Sequence, residues 1–344
     1  MTKAAVALSG GVDSAVTAAL LLEQGYEVVG ITGKMTCSED FEIVVKNAKN
    51  VADKLGIEHY VYDATKLFDE KVIKYFENSY ANGETPNPCI MCNKYIKWGC
   101  LFDYAINVLG ADFIATGHYA NIKNEGGVFK LYPASDEHKD QLYFLFTLTQ
   151  EQLSKTLFPL SSYKKNEVKE LAEKYDLPPK SAKESQDICF IKAPMTTKKY
   201  LNNLFVAKEG IFKEKSTGKI LGKHDGFWQY TIGQRKGIGI AAPEPLYVVE
   251  INSADNVVYV GGQEELFVKN LELRDISFSY LNEKSDFDAM VKIRYNMQAI
   301  KANVKKENDI WQIEFAEPVS AVTKGQACVF YDIYDGHLIG GSFI

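Results

Sequence analysis

Arginine is almost absent from this chain: Arg235, Arg274 and Arg294 are three of 39 basic residues, and lysine supplies the rest. Phosphate contacts must therefore come mostly from lysine point charges rather than planar guanidinium forks. No apolar run approaches the ~18 residues of a membrane helix, so no bilayer span is expected. No basic region leads into a longer apolar stretch at the N-terminus, so no secretory signal is expected and the cytoplasm is the expected location. Six cysteines in 344 residues are too few for a disulfide scaffold. Reduced thiols are expected, and any clustered pair points to metal or redox chemistry. A basic excess is also missing. The 39 Lys and Arg against 45 Asp and Glu give a net charge of −6, which alone argues against a polyanionic partner.

The local balance differs. Between Lys164 and Lys223 there are 14 Lys and 8 Asp or Glu, so this stretch is +6. It reads either as solvated helix faces or as a surface for nucleic acid, with Lys164 and Lys165 at its start. Hydrophobic residues at 46% and charged residues at 24% fit a globular chain of two or three domains.

The first third alternates in type. Strands are expected over Lys3–Leu8, Glu27–Thr32, His59–Tyr62 and Asp112–Ala115. Helices are expected over Ala15–Gln24, Ile43–Leu55, Leu67–Phe76 and Asn93–Leu109. This alternation predicts a doubly wound parallel sheet with a ligand at the carboxyl ends of its strands. Helical patterns follow over Gln150–Leu157, Lys165–Tyr175 and Thr197–Leu204. Beyond about Gly210 short β-rich runs take over, at Leu246–Ile251, Asn256–Val260, Met290–Arg294, Ile300–Val304, Trp311–Phe315 and Ala327–Tyr331. Three domains are expected: 1–204, an α/β nucleotide-binding and catalytic domain with a helical extension; 205–267, a small β domain; and 268–344, a β-barrel.

Ala7-Leu8-Ser9-Gly10-Gly11-Val12-Asp13-Ser14 lies between the first strand and the first helix. Its glycines and the helix N-terminus suit a phosphate, and its serines add hydroxyl donors. Asp13 makes sense there if Mg²⁺ lies between acid and phosphate. The loop is neither a Walker A loop nor a dinucleotide fingerprint. A plain tight turn is the bland alternative.

Thr85-Pro86-Asn87-Pro88-Cys89-Ile90-Met91-Cys92-Asn93-Lys94 holds a Cys-x-x-Cys pair at a probable helix start, where the dipole favours thiolate. Cys189 is a third candidate. Packing, or half of a zinc site, is the alternative for the pair. Cys100 and Cys328 read as core.

The loop resembles the pyrophosphate loop of the ATP-pyrophosphatase (PP-loop) enzymes. With it, Thr85–Lys97, Ala115-Thr116-Gly117-His118-Tyr119, Lys139–Leu145, Cys189-Phe190-Ile191 and Tyr230–Gly237 together resemble the tRNA-specific 2-thiouridylase family over nearly the whole chain. The resemblance implies ATP-dependent thiolation at C2 of the wobble uridine in tRNAs for Lys, Glu and Gln, through an adenylated uridine. A sulfur-donor protein, either a cysteine desulfurase or a relay protein, is the implied second partner.

By position, the resemblance implies that Ala7, Leu8, Ser9, Gly10, Gly11, Val12, Asp13, Ser14, Gly33 and Gly117 contact ATP. Relatives usually carry Met or Leu at position 33, so Gly33 is left only a backbone contact. Cys92 matches the nucleophile, and Cys189 the carrier of persulfide sulfur. Asn87, Pro88, Cys89, His118, Lys139, Asp140, Gln141, Arg294, Tyr295 and Gln326 match tRNA contacts. Many relatives have Asp where this chain has Cys89. The pattern Asn-Pro-Cys-x-x-Cys with Cys189 resembles the branch in which three cysteines hold a 4Fe–4S cluster, so persulfide and cluster routes both stand. Two other readings remain: a PP-loop enzyme adenylating a small substrate, and an RNA-binding protein with a relic nucleotide site.

Overall fold

The computed structural model describes residues 1–178, 188–192, 194–280 and 285–344. Its first domain has strands β1 (Lys3–Ala7), β2 (Glu27–Lys34), β3 (Glu58–Asp63) and β4 (Phe113–Ala115). A hairpin follows, β5 (Asn121–Glu125) and β6 (Val128–Tyr132), and then a two-residue strand, β7 (Thr156–Leu157). All but the hairpin pair in parallel, in the order β3-β2-β1-β4-β7. Ala4, Ala5 and Val6 of β1 are fully buried, the mark of a central strand covered on both faces. Helix α1 (Val12–Glu23) buries a run of small and apolar residues from Ser14 to Leu21 beside β1. Helix α2 (Glu39–Leu55) ends at Gly56, which takes the left-handed cap expected of it. The strand order turns back between β1 and β4, so the ligand crevice opens at their carboxyl ends.

Three helical expectations are corrected. The helix expected over Gln150–Leu157 stops at Ser154, because Thr156 and Leu157 pair with Ile114 and Ala115 as the last strand of the sheet. The helix expected over Leu67–Phe76 is part of a longer helical stretch over 65–81. The helix expected to start at Asn93 begins at Pro88, departs from helical geometry at Gly99 alone, and runs on to Val108.

Four strands, Gly210–Glu214, Ile220–His224, Tyr247–Asn252 and Val257–Gly261, make the second sheet. Seven antiparallel strands between Phe267 and Phe343 make the third. The cores interlock. Ile90, Cys92 and Ile96 share one cluster with Tyr143, Phe146 and the C-terminal residues Ala327, Val329 and Leu338. Phe76 and Tyr80 pack with Ile191, Leu201 and the central domain's Phe212, Trp228 and Val248. The segment bearing Cys89 and Cys92 thus lies where the three domains meet.

Candidate active site

The phosphate loop closes on its own hydroxyls. Ser14 Oγ accepts from Ser9 N at 3.1 Å and donates to Gly11 O at 3.0 Å. The first intrahelical bond of α1 runs from Ala15 N to Gly11 O, which leaves the preceding first-turn N–H groups without helical partners. Gly117, just past β4, lies against this loop. A Cβ there would come within 2.9 Å of the Asp13 backbone carbon and Cβ, so only glycine allows the approach. Loop and β4 turn therefore form one wall of the crevice. Gly33 is buried at the end of β2, where Leu101 occupies the space a side chain would take, at 3.1 and 3.2 Å from an ideal Cβ.

Asp13 has partners the sequence did not disclose. Lys165 Nζ lies 2.7 Å from Asp13 Oδ1 and 2.8 Å from Oδ2, and Tyr119 OH donates to Oδ1 at 3.1 Å. Lys165 is the first residue of the helix Lys165–Lys174, and its own N–H donates to Asp136 Oδ2 at 2.9 Å. The helix packs onto the α1 side of the sheet through Val168 and Ala172. Lys165 was counted in the lysine-rich stretch read either as solvated helix faces or as a surface for nucleic acid. That grouping is corrected: it serves the phosphate loop.

The cysteine helix starts as its residues dictate. Asn87 Oδ1 accepts from Cys89 N at 3.2 Å, and Pro88 occupies the first turn. Cys92 is buried, while Cys89 and Cys189 are exposed; all six cysteines are free thiols. Cys189 sits in a turn closed by Ile191 N donating to Ile188 O at 2.9 Å. Phe190 anchors that turn edge-on to Phe68 and Phe76, with ring centroids 5.9 and 5.3 Å apart. Phe190 also packs against the core cluster that holds Ile90 and Cys92, which brings the Cys189 turn to the cysteine helix. Desolvation pushes the thiols of Cys89, Cys92 and Cys189 up, Cys92 to about 12 and Cys189 to about 11, and Lys97 opposes the rise at each. Cys100 bonds to Ile96 O at 3.6 Å and Cys328 is fully buried, so both pack.

Lys97 ties the cysteine helix to the phosphate wall. Its Nζ lies 3.1 Å from His118 Nε2, and His118 Nδ1 lies 2.7 Å from Thr116 Oγ1. Lysine can only donate, so Nε2 accepts and Nδ1 carries the proton.

Thr85 is the second tie. Its N–H donates to Lys324 O at 2.8 Å, its carbonyl accepts from Gln326 Nε2 at 2.7 Å, and its hydroxyl meets Thr231 Oγ1 at 3.2 Å. Gly325, at φ 89°, presses on Thr85, where a Cβ would lie 3.0 Å from the Thr85 carbonyl carbon. The Gly-Gln-Arg-Lys-Gly loop thereby gains a readable role. Gln234 Oε1 accepts from Thr231 N at 3.2 Å and Gln234 Nε2 donates to Lys236 O at 3.0 Å, shaping the turn that presents Thr231 to Thr85.

Comparison with known proteins gives the family. A family model described as the tRNA methyl transferase HUP domain matches residues 2–193, its PRC-barrel companion residues 198–262, and an aminomethyltransferase β-barrel domain residues 268–344. The tRNA-specific 2-thiouridylase MnmA of Carboxydothermus hydrogenoformans is 44% identical, covering 99% of this chain and 97% of that one. The protein of the same name from Clostridium acetobutylicum is 42% identical over 99% of each. The chain belongs to the tRNA-specific 2-thiouridylase MnmA family. Among solved structures, a 4-thiouridine synthetase–RNA complex with bound ATP is similar at TM-score 0.39 and 24% identity, over 56% of this chain and 45% of that one.

For a 2-thiouridylase, the expected RNA contacts are distributed unevenly. His118 is corrected: rather than facing the crevice it is 7% exposed, packed between Trp98 and Phe158, with both ring nitrogens engaged. Burial holds its pKa well below the ordinary value, so it is neutral. Asp140 accepts from Ala134 N at 3.1 Å and Leu142 N at 3.2 Å, and burial pushes its carboxyl up to about 6. Gln141 Oε1 accepts from Tyr119 N at 2.9 Å, fixing the tyrosine that reaches Asp13. Tyr295 donates to Asp140 O at 3.0 Å and lies 4.6 Å from the Phe144 ring. Asp140, Gln141, Tyr295 and Gln326 thus brace the site from behind. Lys139 is held by the turn at Asp136, whose carbonyl accepts from its N–H, and Arg294 is exposed with one long contact, 3.4 Å to Ser320 Oγ.

Proposed function

We propose that this ATP-dependent tRNA uridine thiolase works along one continuous crevice, with ATP at the α1 end and the reacting sulfur at the cysteine end. The observation that carries the reading is the chain of contacts Asp13–Gly117, Thr116–His118 and His118–Lys97, which joins phosphate loop to cysteine helix. Residues 7–14 and Gly117 are the proposed ATP contacts. The first-turn N–H groups of α1 and the loop hydroxyls receive phosphate oxygens, and uridine O2 attacks the α-phosphorus with pyrophosphate leaving. Mg²⁺ is proposed to accompany ATP. Asp13 is the carboxylate that suits it, and Lys165 is the ammonium that balances Asp13 otherwise.

Sulfur then attacks C2, and the C2–O bond breaks with AMP leaving. Adenylation makes that oxygen a leaving group, and an ammonium beside the thiols, Lys97, suits the negative charge that gathers as sulfur adds. In the persulfide form, Cys189 carries the outer sulfur and Cys92 takes the Cys189 sulfur as the thiocarbonyl separates, leaving a Cys92–Cys189 disulfide. Three thiols are also soft donors of the kind that a metal takes. Those three thiolates would hold a 4Fe–4S cluster, which would supply an iron position open to sulfide.

The wobble uridine of tRNAs for Lys, Glu and Gln is the proposed target, a sulfur-relay protein the proposed donor, and the cytoplasm the proposed location. No helix among the described residues is long and apolar enough to cross a membrane. Pyrophosphate and AMP release are the test. Both should depend on tRNA carrying an unmodified target uridine, and release without tRNA would overturn the proposal. Anaerobic purification with iron and sulfide analysis separates the two sulfur routes.

A further inference from the structure

The stretch 85–102 contains Lys94 and Lys97 and no acidic residue, within a chain of 45 acids and 39 bases. It is also the stretch that carries Cys89 and Cys92. Tyr95 lies on it, half-buried, with Lys94 Nζ 5.3 Å from its ring centroid. Lys71, from the adjoining helical segment Asp69–Ile73, places its Nζ 5.5 Å from the same ring. Both lysines are exposed, and among the described residues neither is in an ion pair, whereas nearby Lys74 is paired with Asp69 at 3.0 Å. Two unpaired ammonium groups around one aromatic ring combine what an unpaired RNA segment needs: a π-face for a base and cations for the flanking phosphates.

We propose that Lys71, Tyr95 and Lys94 form a landing site for the single-stranded tRNA loop beside the target uridine, with a neighbouring base on Tyr95 and phosphates on the two lysines. The inference rests on the thiolase reading above and adds residues to it. The site lies one helical turn beyond Cys92, so it would hold the loop while the uridine enters toward Cys89 and Cys189.

The test measures tRNA affinity by filter binding across a salt series. Melting temperature and ATP binding by equilibrium dialysis serve as controls. Tyr95→Ala should weaken tRNA binding about 10-fold while Tyr95→Phe stays near wild type, since a stacked base needs a ring and not a hydroxyl. Lys71→Gln with Lys94→Gln should lower affinity and reduce the salt slope by about 1.4, the release expected for two single-strand phosphates. ATP binding and melting should not move. Unchanged affinity and slope in all variants would overturn the proposal. So would unchanged tRNA affinity with slowed thiolation that excess sulfur-donor protein restores, because the surface would then be a protein dock. A wild-type protein that binds no tRNA would instead defeat the functional reading itself.

Discussion

Lys165 Nζ stands between the two carboxylate oxygens of Asp13, at 2.7 and 2.8 Å, joining residues 152 apart in the chain. A carboxylate in a phosphate loop repels the anion the loop is built for, and this ammonium removes that repulsion. Asp13→Ala and Lys165→Met should each cut tRNA-dependent AMP formation by about 100-fold or more, the scale seen when an electrostatic group is removed from a reacting centre. Binding of tRNA should stay within about twofold. Wild-type AMP release by Lys165→Met would show the pair to be only structural.

Cys89 decides the sulfur route. If three thiolates hold a cluster, Cys89→Asp loses iron and activity together, because a hard carboxylate replaces a soft ligand. Cys89→Ser, Cys92→Ser and Cys189→Ser should then behave alike. An iron-free Cys89→Asp enzyme that thiolates tRNA with a persulfide donor would leave only the persulfide route, in which Cys92→Ser and Cys189→Ser remain lethal to activity and Cys89 is dispensable.

His118 predicts a pH dependence of stability. Its folded pKa lies well below the ordinary 6.5, so between the two values the unfolded chain binds the proton and the folded chain does not. Stability from this group is therefore complete above about pH 6.5 and falls as the pH drops below it. Thermal melting from pH 7.5 to 5 should fall less steeply in His118→Gln than in wild type, even though the variant melts lower at neutral pH. Parallel slopes would mean that His118 titrates normally.

The alternation of strand and helix, the loop from Ala7 to Ser14 and the Cys-x-x-Cys pair were legible because each is written in consecutive residues. Lys165, Tyr119 and Thr85 were not, since their contacts to Asp13, Asp13 and Gln326 span 152, 106 and 241 positions. His118 was legible as part of a string and read as a tRNA contact, whereas its ring is packed inside the protein. Nothing local announces that Trp98 and Phe158 close over it. The hairpin at Asn121–Tyr132 escaped because its first strand, Asn121–Glu125, is short and polar, although Gly126-Gly127 marked its turn. The short strand Thr156–Leu157 is set by its neighbour in the sheet, not by its own residues.

The Thr85 clasp gives a fourth expectation. Gly325→Ala sets a Cβ at φ 89° and 3.0 Å from the Thr85 carbonyl carbon, which should cost about 1–3 kcal/mol. Gln326→Ala removes one hydrogen bond to Thr85 O, and about 1 kcal/mol with it. Both variants should lose thiolation turnover more than ATP binding. Equal loss of the two would place the clasp's influence on the whole first domain rather than on the cysteine helix.

Because residues 324–326 hold the segment leading into Cys89, the order of synthesis matters. On the ribosome the phosphate loop and the cysteine helix emerge first, yet the clamp on Thr85 is made by Gln326, 241 positions further along the chain. A nascent or truncated chain would hold the elements for ATP while its thiols still lacked their frame. The frame around the thiols therefore closes only after the third sheet has been made, long after the residues it frames.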